Sequence, residues 1–260
     1  MRFIVCIKQV PDTTEVKIDP ETNTLKREGV PSIINPFDKN ALEAALQLKE
    51  QLGGNVVVIS MGPPQAEEAL REALAMGADE AVLLSDRAFG GADTLATSYT
   101  LAEAIKQQGE YDLVLFGLQA IDGDTGQVGP EVAEHLGIPQ VTYVRALDIV
   151  DGVVRMERDD GVDCMVVEAA MPLAVTVTAD INDPRLSSLR GKMRAKKADI
   201  PVLTAGDLGV DPGRIGLQGS PTQVVRVFTP PIGKGGEILS GSVEEAVSAL
   251  LDRLHEKNIV

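Results

Sequence analysis

A glycine-rich run from Gly117 to Val128 contains the residues with the clearest chemical potential in the sequence. It follows a short apolar segment and opens a helical pattern that continues through Val132 and Leu136. The first turn of a helix exposes unpaired N–H groups and carries partial positive charge, so it can hold a phosphate group. Gly123 and Gly126 would let the backbone approach that group closely. The run predicts a nucleotide-binding loop, and an ordinary glycine-rich turn is the alternative.

Four polar side chains in this run could serve a nucleotide. An aspartate could bond a ribose hydroxyl or cap the following helix, and hydroxyl or amide groups could bond phosphate oxygens. These side chains are Asp122, Asp124, Thr125 and Gln127.

Two further loops would lie at the same edge of the predicted sheet. The segment 35–38 opens a helix, and Asp38 is a candidate cap for it. The segment 61–64 follows an apolar run, and the apolar atoms of Met61 could flank an adenine ring. Cys6, near the end of the first strand, is either a small core residue or a ligand contact. Because ligands of open α/β sheets bind outside the carboxyl ends of the strands, these loops together predict a pocket.

Several kinds of catalytic site are missing from the sequence. It has no GxGxxG after the first strand, no GxxxxGK[ST] and no GxSxG. The two histidines, His135 and His255, are interpreted as structural or solvated. The segment 122–124 resembles the start of a calcium loop, but Gly126 occupies the third ligand position. Two cysteines without a CxxC give neither a disulfide framework nor a zinc site, so we predict no metal.

Alternating strand and helix patterns position these loops. Apolar runs at 3–7, 56–59, 81–84 and 113–116 are separated by helical patterns that end at Gly53-Gly54 and Gly77, and Asp93 or Thr94 could cap the helix after the third run. This βαβ alternation predicts a mostly parallel sheet with helices on both faces. Beyond residue 140, Asp151-Gly152 separates two runs of an antiparallel hairpin extension, and 173–177 is a further strand. A second, surface hairpin is predicted over Glu15 to Lys26.

Composition limits the partners and the compartment. The chain of 260 residues carries a net charge of −15 and 3% aromatic residues, which argues against nucleic acid as a partner. No apolar run approaches the ~20 residues of a membrane span, and the N-terminus has no cleavable signal pattern. We therefore expect a cytoplasmic protein with no membrane span.

Three regions differ in character. Residues 1–184 are predicted to form the α/β nucleotide-binding domain, and residues 185–197 form a basic loop without an acidic residue. Residues 198–260 are rich in proline and glycine until a final amphipathic helix, which favours an arm that docks on another subunit.

Several segments then identify a family. They follow one order along the chain: 8–11 after the first strand, 35–38, 74–79, 117–122, 182–185, 196–197 and 207–209. With these segments, the chain resembles the β subunit of electron-transfer flavoproteins over essentially its full length. The resemblance implies a HUP-like adenine-nucleotide-binding fold, a heterodimer with an α subunit, and a nucleotide site in this chain.

The resemblance also implies which residues form that site. The implied cofactor-binding residues are Cys6, Asn35, Pro36, Phe37, Asp38, Met61, Asp93, Thr94, Thr97, Gly117, Gln119, Ala120, Ile121, Asp122, Gly123, Asp124, Thr125, Gly126, Gln127 and Val128. In common members the site holds a structural AMP and the working FAD lies mainly in the α subunit. In electron-bifurcating members it holds FAD that accepts hydride from NADH.

The segment 123–131 resembles the bifurcating members. Gly126 is small where members that bind only AMP tend to carry Asn, and the segment 89–94 would border the flavin ring. In such members one electron passes to ferredoxin or flavodoxin. The other passes through the FAD of the α subunit to an acyl-CoA dehydrogenase or a related flavoenzyme. The alternatives are a non-bifurcating β subunit with AMP and a stand-alone AMP- or ATP-binding stress-type module. An adenylate-transferring enzyme is disfavoured because the pyrophosphate-loop motif is missing.

The resemblance gives the basic segment a role as well. Residues 185–197 match the family's recognition loop, with Leu189 at the apolar tip that enters a dehydrogenase pocket. A small apolar anchor within a charged rim suits a binding hot spot. A solvated basic loop is the alternative. The implied partner-binding residues are Leu189, Arg190, Lys192 and Lys196.

Overall fold

The computed structural model describes residues 1–12, 31–159, 161–225, 236 and 238–259. Its contacts divide the chain into two compact units, Met1–Val225 and Arg226–Val260. The predicted hairpin over Glu15 to Lys26 lies outside the described residues.

The first unit is built on a large sheet and a two-stranded ribbon. The strands are β1 (Arg2–Cys6), β2 (Gln9–Pro11), β3 (Ser32–Ile34), β4 (Asn55–Met61), β5 (Glu80–Leu84), β6 (Leu113–Gly117), β7 (Gln140–Val150), β8 (Val153–Asp159), β9 (Cys164–Ala170), β10 (Leu173–Val177) and β11 (Val202–Leu203). The large sheet has the order β11-β5-β4-β1-β6-β10-β7-β8-β9, and β2 pairs with β3 separately. All its pairings from β11 to β7 are parallel, whereas β8 and β9 add antiparallel strands. The predicted mostly parallel α/β sheet with an antiparallel extension is confirmed.

Seven helices connect or flank the strands in the described parts of the chain. They are α1 (Pro36–Leu52), α2 (Glu67–Met76), α3 (Thr94–Gln107), α4 (Val128–Leu136), α5 (Leu189–Lys197), α6 (Ala205–Leu208) and, in the second unit, α7 (Val243–Glu256). Gly53 and Gly77 end α1 and α2 in backbone conformations with positive φ, as their positions predict. Asp93 caps α3 by accepting a hydrogen bond from the Ala96 N–H, so the predicted cap is confirmed.

Helices cover both faces of the parallel part of the sheet. Alternate residues of β1 belong to different core layers: Phe3 and Val5 pack with apolar residues of α1 and α2, whereas Ile4 and Cys6 pack with those of α3. Burial on both faces explains why this strand is an unbroken apolar run. Because β4, β1 and β6 are adjacent and parallel, their carboxyl ends lie side by side at one edge of the sheet.

The basic segment is not the continuous loop that the sequence predicts. Residues 189–197 form α5, with Ser188 as a cap that accepts from the Gly191 N–H. The helix packs on α2 closely enough that a Cβ on Gly191 would lie 2.1 Å from the Ala75 carbonyl oxygen. A cap, a run of lysine and arginine in the last turn and one small packing residue explain why a helix forms here.

Residues 198–225 belong to the first unit, whereas the sequence interpretation assigns them to an arm. Strand β11 adds to the sheet beside β5, and Leu208, Val210 and Ile215 are buried in the core layer that contains α3. Three buried side chains spread over a proline- and glycine-rich stretch have no helical or strand period, so sequence periodicity does not reveal them.

Candidate functional site

The loops after β1 and β6 are joined through the first turn of α1. The Asn35 side chain is fully buried; its amide Nδ2 donates to the Gln119 carbonyl at 2.8 Å, and its Oδ1 accepts from the Ile121 N–H at 3.1 Å. The predicted site segment at 35–38 therefore holds the glycine-rich loop through a side chain that is itself satisfied. Pro36 is exposed and Phe37 is half-buried.

Asp38 does not cap α1, which corrects the sequence interpretation. It lies inside the helix, and its two carboxylate oxygens accept from the Lys8 N–H at 2.7 Å and from the Gly117 N–H at 3.1 Å. Gly117 has to be glycine here, since a Cβ would lie 2.4 Å from Asp38 Oδ1. Asp38 thus ties the ends of β1 and β6 together.

Burial changes the titration of the groups beneath the site. Burial raises the pKa of Asp38 to about 7, although the N–H donors of Lys8 and Gly117 and the Asn35 side chain favour its charged form. Cys6 is 6% exposed at the end of β1, and burial followed by the charge of Asp38 raises the pKa of its thiol well above its usual range. The cysteine is therefore a neutral core residue beneath the pocket.

The loop from Gly117 to Gln127 has a defined conformation. The Ala120 carbonyl accepts from the N–H groups of Gly123 and Asp124, and Asp124 and Gly126 have φ of 50° and 63°. Gln119 Nε2 donates to Asp124 Oδ1 at 3.0 Å. Asp122 is instead paired with Lys8, whose Nζ lies 2.6 Å from Asp122 Oδ1.

Neither aspartate of the loop caps α4. Gln127 occupies the N-cap position and makes no side-chain cap hydrogen bond, and Pro130 has no N–H to satisfy. Gly129 brings the first turn against the sheet, where a Cβ would lie 2.5 Å from Thr176 Cγ2. The helix start is therefore available for an anion.

Space is available along the loop that leads into this helix. A Cβ on Gly123 would meet nothing within 4 Å, and one on Gly126 would meet only the Leu118 carbonyl at 3.6 Å. A cavity of about 130 Å³ adjoins the loop at the ends of β1 and β4. Its lining residues include Lys8, Val10, Met61, Pro63 and Asp122. Met61 therefore lines this cavity, whereas Cys6 is not among its lining residues.

The start of α3 meets the start of α4. Thr94 Oγ1 lies 3.4 Å from Gln127 Oε1 and donates to Glu131 Oε1 at 3.1 Å. Burial raises the pKa of Glu131. Thr97 is half-buried one turn later, and its N–H donates to the Asp93 carbonyl.

The Asp93 carboxylate is directed elsewhere. Besides capping α3, Asp93 Oδ2 accepts from the Thr222 hydroxyl at 2.8 Å and from the Thr222 N–H at 3.1 Å. Hydrogen bonds to its charged form lower the pKa of Asp93 despite burial. Of the residues predicted near a flavin ring, Thr94 contacts Gln127 of the glycine-rich loop, whereas Asp93 accepts hydrogen bonds from Thr222 near the end of the first unit.

Two residues at the site are missing from the residues identified by sequence. Lys8 lies two residues after the end of β1, and its side chain reaches Asp122. Glu131 lies one turn into α4. Their partners are 114 and 37 residues away, so sequence spacing alone does not connect them.

A family model described as an electron transfer flavoprotein domain matches residues 22–208. The chain belongs to the electron transfer flavoprotein family. It is 54% identical over 263 residues to the electron transfer flavoprotein subunit beta of Thermoanaerobacterium thermosaccharolyticum, covering all of both chains. It is 54% identical over 264 residues to subunit CarD of the caffeyl-CoA reductase–Etf complex of Acetobacterium woodii, again covering all of both. Protein FixA of Bradyrhizobium diazoefficiens is 47% identical over 262 residues, which is 98% of this chain and 91% of FixA.

In this electron transfer flavoprotein chain, α5 presents an exposed apolar and basic surface. Leu186, Leu189 and Met193 are 94%, 79% and 61% exposed. The predicted partner residues Arg190, Lys192 and Lys196 are exposed as well. Arg194 differs from them, because its guanidinium donates to the carbonyls of Leu74 and Ala78 and so holds α5 on the end of α2.

The segment that precedes α5 is bound to α1 through Arg185 and Asn182. Glu43, 3% exposed, binds Arg185 through both carboxylate oxygens, with Nε–Oε2 and Nη2–Oε1 distances of 2.8 and 3.0 Å. Glu50 accepts from the same guanidinium, and these pairs raise the pKa of Arg185 above its usual range. Asn40 and Asn182 exchange hydrogen bonds between side-chain amides and backbone carbonyls at 2.7 and 3.0 Å.

Neither a membrane-spanning helix nor a cluster of metal-binding side chains occurs in the described parts of the chain. No helix there has the length and the hydropathy that a membrane crossing requires. The same residues bring together no group of three histidine, cysteine, aspartate or glutamate side chains suited to a metal ion.

Proposed function

We propose that this electron transfer flavoprotein β subunit binds FAD and belongs to a cytoplasmic, electron-bifurcating heterodimer. In this proposal the heterodimer oxidises NADH and delivers one electron to ferredoxin or flavodoxin. It delivers the other, through FAD in the α subunit, to an acyl-CoA dehydrogenase or a related flavoenzyme. Bound FAD supplies the hydride-accepting and one-electron chemistry, whereas the residues of this chain bind and orient it.

The uncapped start of α4 beside open space is the observation that carries the proposal. Its backbone N–H groups suit a diphosphate, and Gly123 and Gly126 leave room that larger residues would fill. The adjoining cavity, with Met61 and Pro63 in its lining, suits the apolar faces of an adenine ring. The similarity to a subunit of a caffeyl-CoA reductase–Etf complex supports a flavoenzyme acting on CoA esters as the final partner.

The cofactor content of the purified heterodimer tests the proposal. The chain is co-expressed with its α subunit, the cofactors are released by denaturation, and FAD and AMP are separated by chromatography. We expect two FAD and no AMP per heterodimer. One FAD with one AMP would instead support a non-bifurcating carrier, and a homo-oligomer without flavin would support the stand-alone nucleotide-binding module.

A single substitution tests whether space at Gly126 selects FAD. Gly126 has a φ of 63°, which asparagine tolerates, so Gly126→Asn adds a side chain without severe backbone strain. We expect this variant to lose FAD from the β site while it still binds AMP. Gly137→Asn is the matched control, because Gly137 has a φ of 68° at the other end of α4 and open space around its Cβ position. Retention of both FAD by Gly126→Asn would contradict the proposed selection.

The α5 surface is proposed to dock the flavoenzyme partner. Leu189 is 79% exposed, so Leu189→Ala removes an apolar anchor without removing a core contact. We expect a KM for the partner at least about tenfold higher, with NADH-dependent reduction of the heterodimer unchanged. Leu52→Ala, at a leucine 44% exposed at the end of α1, is the control. An unchanged KM in Leu189→Ala would exclude this docking role.

The second unit is proposed to dock on the α subunit. Helix α7 has an apolar face with Val243, Val247 and Leu250 exposed at 76%, 50% and 49%. An amphipathic helix whose apolar side chains are exposed supports contact with another chain. Removal of residues 226–260 is expected to abolish co-purification with the α subunit, and intact co-purification would contradict this role.

A further inference from the structure

We propose that Lys8 balances the charge of the nucleotide site: by pairing with Asp122 it keeps the loop 117–127 able to accept a phosphorylated ligand. The inference rests on the proposed nucleotide-binding function and assigns a specificity role to a residue outside the predicted site. It concerns the phosphate part of the ligand, so it applies equally to FAD and to AMP.

The backbone of Lys8 is held in place, which directs its side chain. The Lys8 N–H donates to Asp38 Oδ2 at 2.7 Å, and its carbonyl accepts from the Asn35 N–H at 2.9 Å. Only the side chain remains to reach another element, and it crosses from the end of β1 to the loop after β6. There Nζ lies 2.6 Å from Asp122 Oδ1, and the Lys8 and Asp122 side chains are 49% and 17% exposed.

The charges around this pair explain why it matters. Among the described residues that line the cavity or form the loop 117–127, Lys8 is the one basic residue. Asp124 of the same loop has a neutral partner, Gln119, and the whole chain carries a net charge of −15. Without Lys8, the loop that leads into α4 would carry two carboxylates without a cationic partner, in addition to Glu131 in the first turn of the helix where a phosphate is proposed to bind. Uncompensated negative charges near a binding site oppose the binding of an anion.

The role differs from that of a purely structural ion pair in a measurable way. If Lys8 only held the loop in shape, its removal would weaken the binding of neutral and anionic nucleosides alike. If Lys8 balances charge, its removal weakens the binding of AMP and ADP but leaves the binding of adenosine nearly unchanged. The effect also shrinks as salt screens the carboxylates, and it disappears when the charge of Asp122 is removed together with that of Lys8.

The test uses the co-expressed heterodimer after its nucleotides have been removed, with adenosine, AMP and ADP as probes in calorimetry. For Lys8→Gln we expect about tenfold weaker binding of AMP and ADP at low salt, a smaller loss at high salt, and less than about twofold for adenosine. The Lys8→Gln/Asp122→Asn double variant should restore AMP binding to within about threefold. Lys49→Gln, which removes an ion pair of the same 2.6 Å length with Asp79 at the far end of α1, is the control.

Two results would overturn the inference. If Lys8→Gln lost equal affinity for adenosine and for AMP, the role of Lys8 would be structural. If the double variant bound AMP as weakly as Lys8→Gln does, Asp122 would not be the charge that Lys8 balances. Either result leaves the proposed function standing if the unaltered heterodimer binds nucleotide. A heterodimer that binds none of the probes and contains no FAD or AMP when purified would overturn both.

Discussion

Replacing Asp38 by asparagine should remove a large part of the pH dependence of folding. Asp38 is buried between the N–H groups of Lys8 and Gly117, and its pKa of about 7 exceeds the ordinary value of 3.8. Between these pH values the unfolded chain has released a proton that the folded chain still holds. The stabilising contribution of the protonated group is therefore complete below pH 3.8 and is lost as the pH rises to about 7.

The size of this effect follows from the two pKa values. A difference of about three units corresponds to about 4 kcal/mol, at 1.36 kcal/mol per unit. The amide of Asp38→Asn does not titrate, so its cost is a constant, set by one NH2 group facing a backbone N–H donor. The free energy of unfolding of the unaltered chain minus that of the variant should thus fall by about 4 kcal/mol between pH 4 and pH 8.

Urea denaturation of the full-length chain and of Asp38→Asn at each pH unit from 4 to 8 measures this difference. Subtracting the two free energies cancels the titration of all groups that they share. Asp148→Asn, at an exposed aspartate of β7, is the control. A difference that stays constant within about 1 kcal/mol across the range would refute the argument, because a group with an unshifted pKa gives no slope there.

Two further substitutions test the packing around the site. Gly117→Ala should destabilise the chain by about 2–4 kcal/mol and abolish nucleotide binding, because its Cβ would lie 2.4 Å from Asp38 Oδ1; Gly123→Ala, with open space, should change the melting temperature little. Arg185→Met should cost about 3–5 kcal/mol in urea denaturation by leaving Glu43 buried without its partner, and adding Glu43→Gln should recover most of it. A Gly117→Ala variant with unchanged stability would contradict the first explanation. An Arg185→Met/Glu43→Gln double variant no more stable than Arg185→Met would contradict the second.

Periodicity and turn chemistry predict the elements but not the contacts that shape the site. The strands and the helices that end at Gly53 and Gly77 follow from local patterns, and the run at 117–128 is correctly placed after β6. The role of Asp38 is different: an aspartate near a helix start predicts a cap, yet its partner Gly117 is 79 residues away. Local sequence cannot distinguish a cap from a clamp between strands, because both need the same residue near the same helix start.

Helix α1 supports both halves of the proposed function. Its first turn holds the glycine-rich loop through Asn35 and Asp38, and its later turns hold the root of α5 through Asn40 and Glu43. Residues on one helix of 17 residues keep fixed relative positions, so the proposed nucleotide loop and the proposed partner surface share one rigid support. The contacts are nevertheless separate along the helix. Arg185→Met should therefore impair partner docking while the bound nucleotide is retained. Gly117→Ala should instead remove the nucleotide and leave α5 in place.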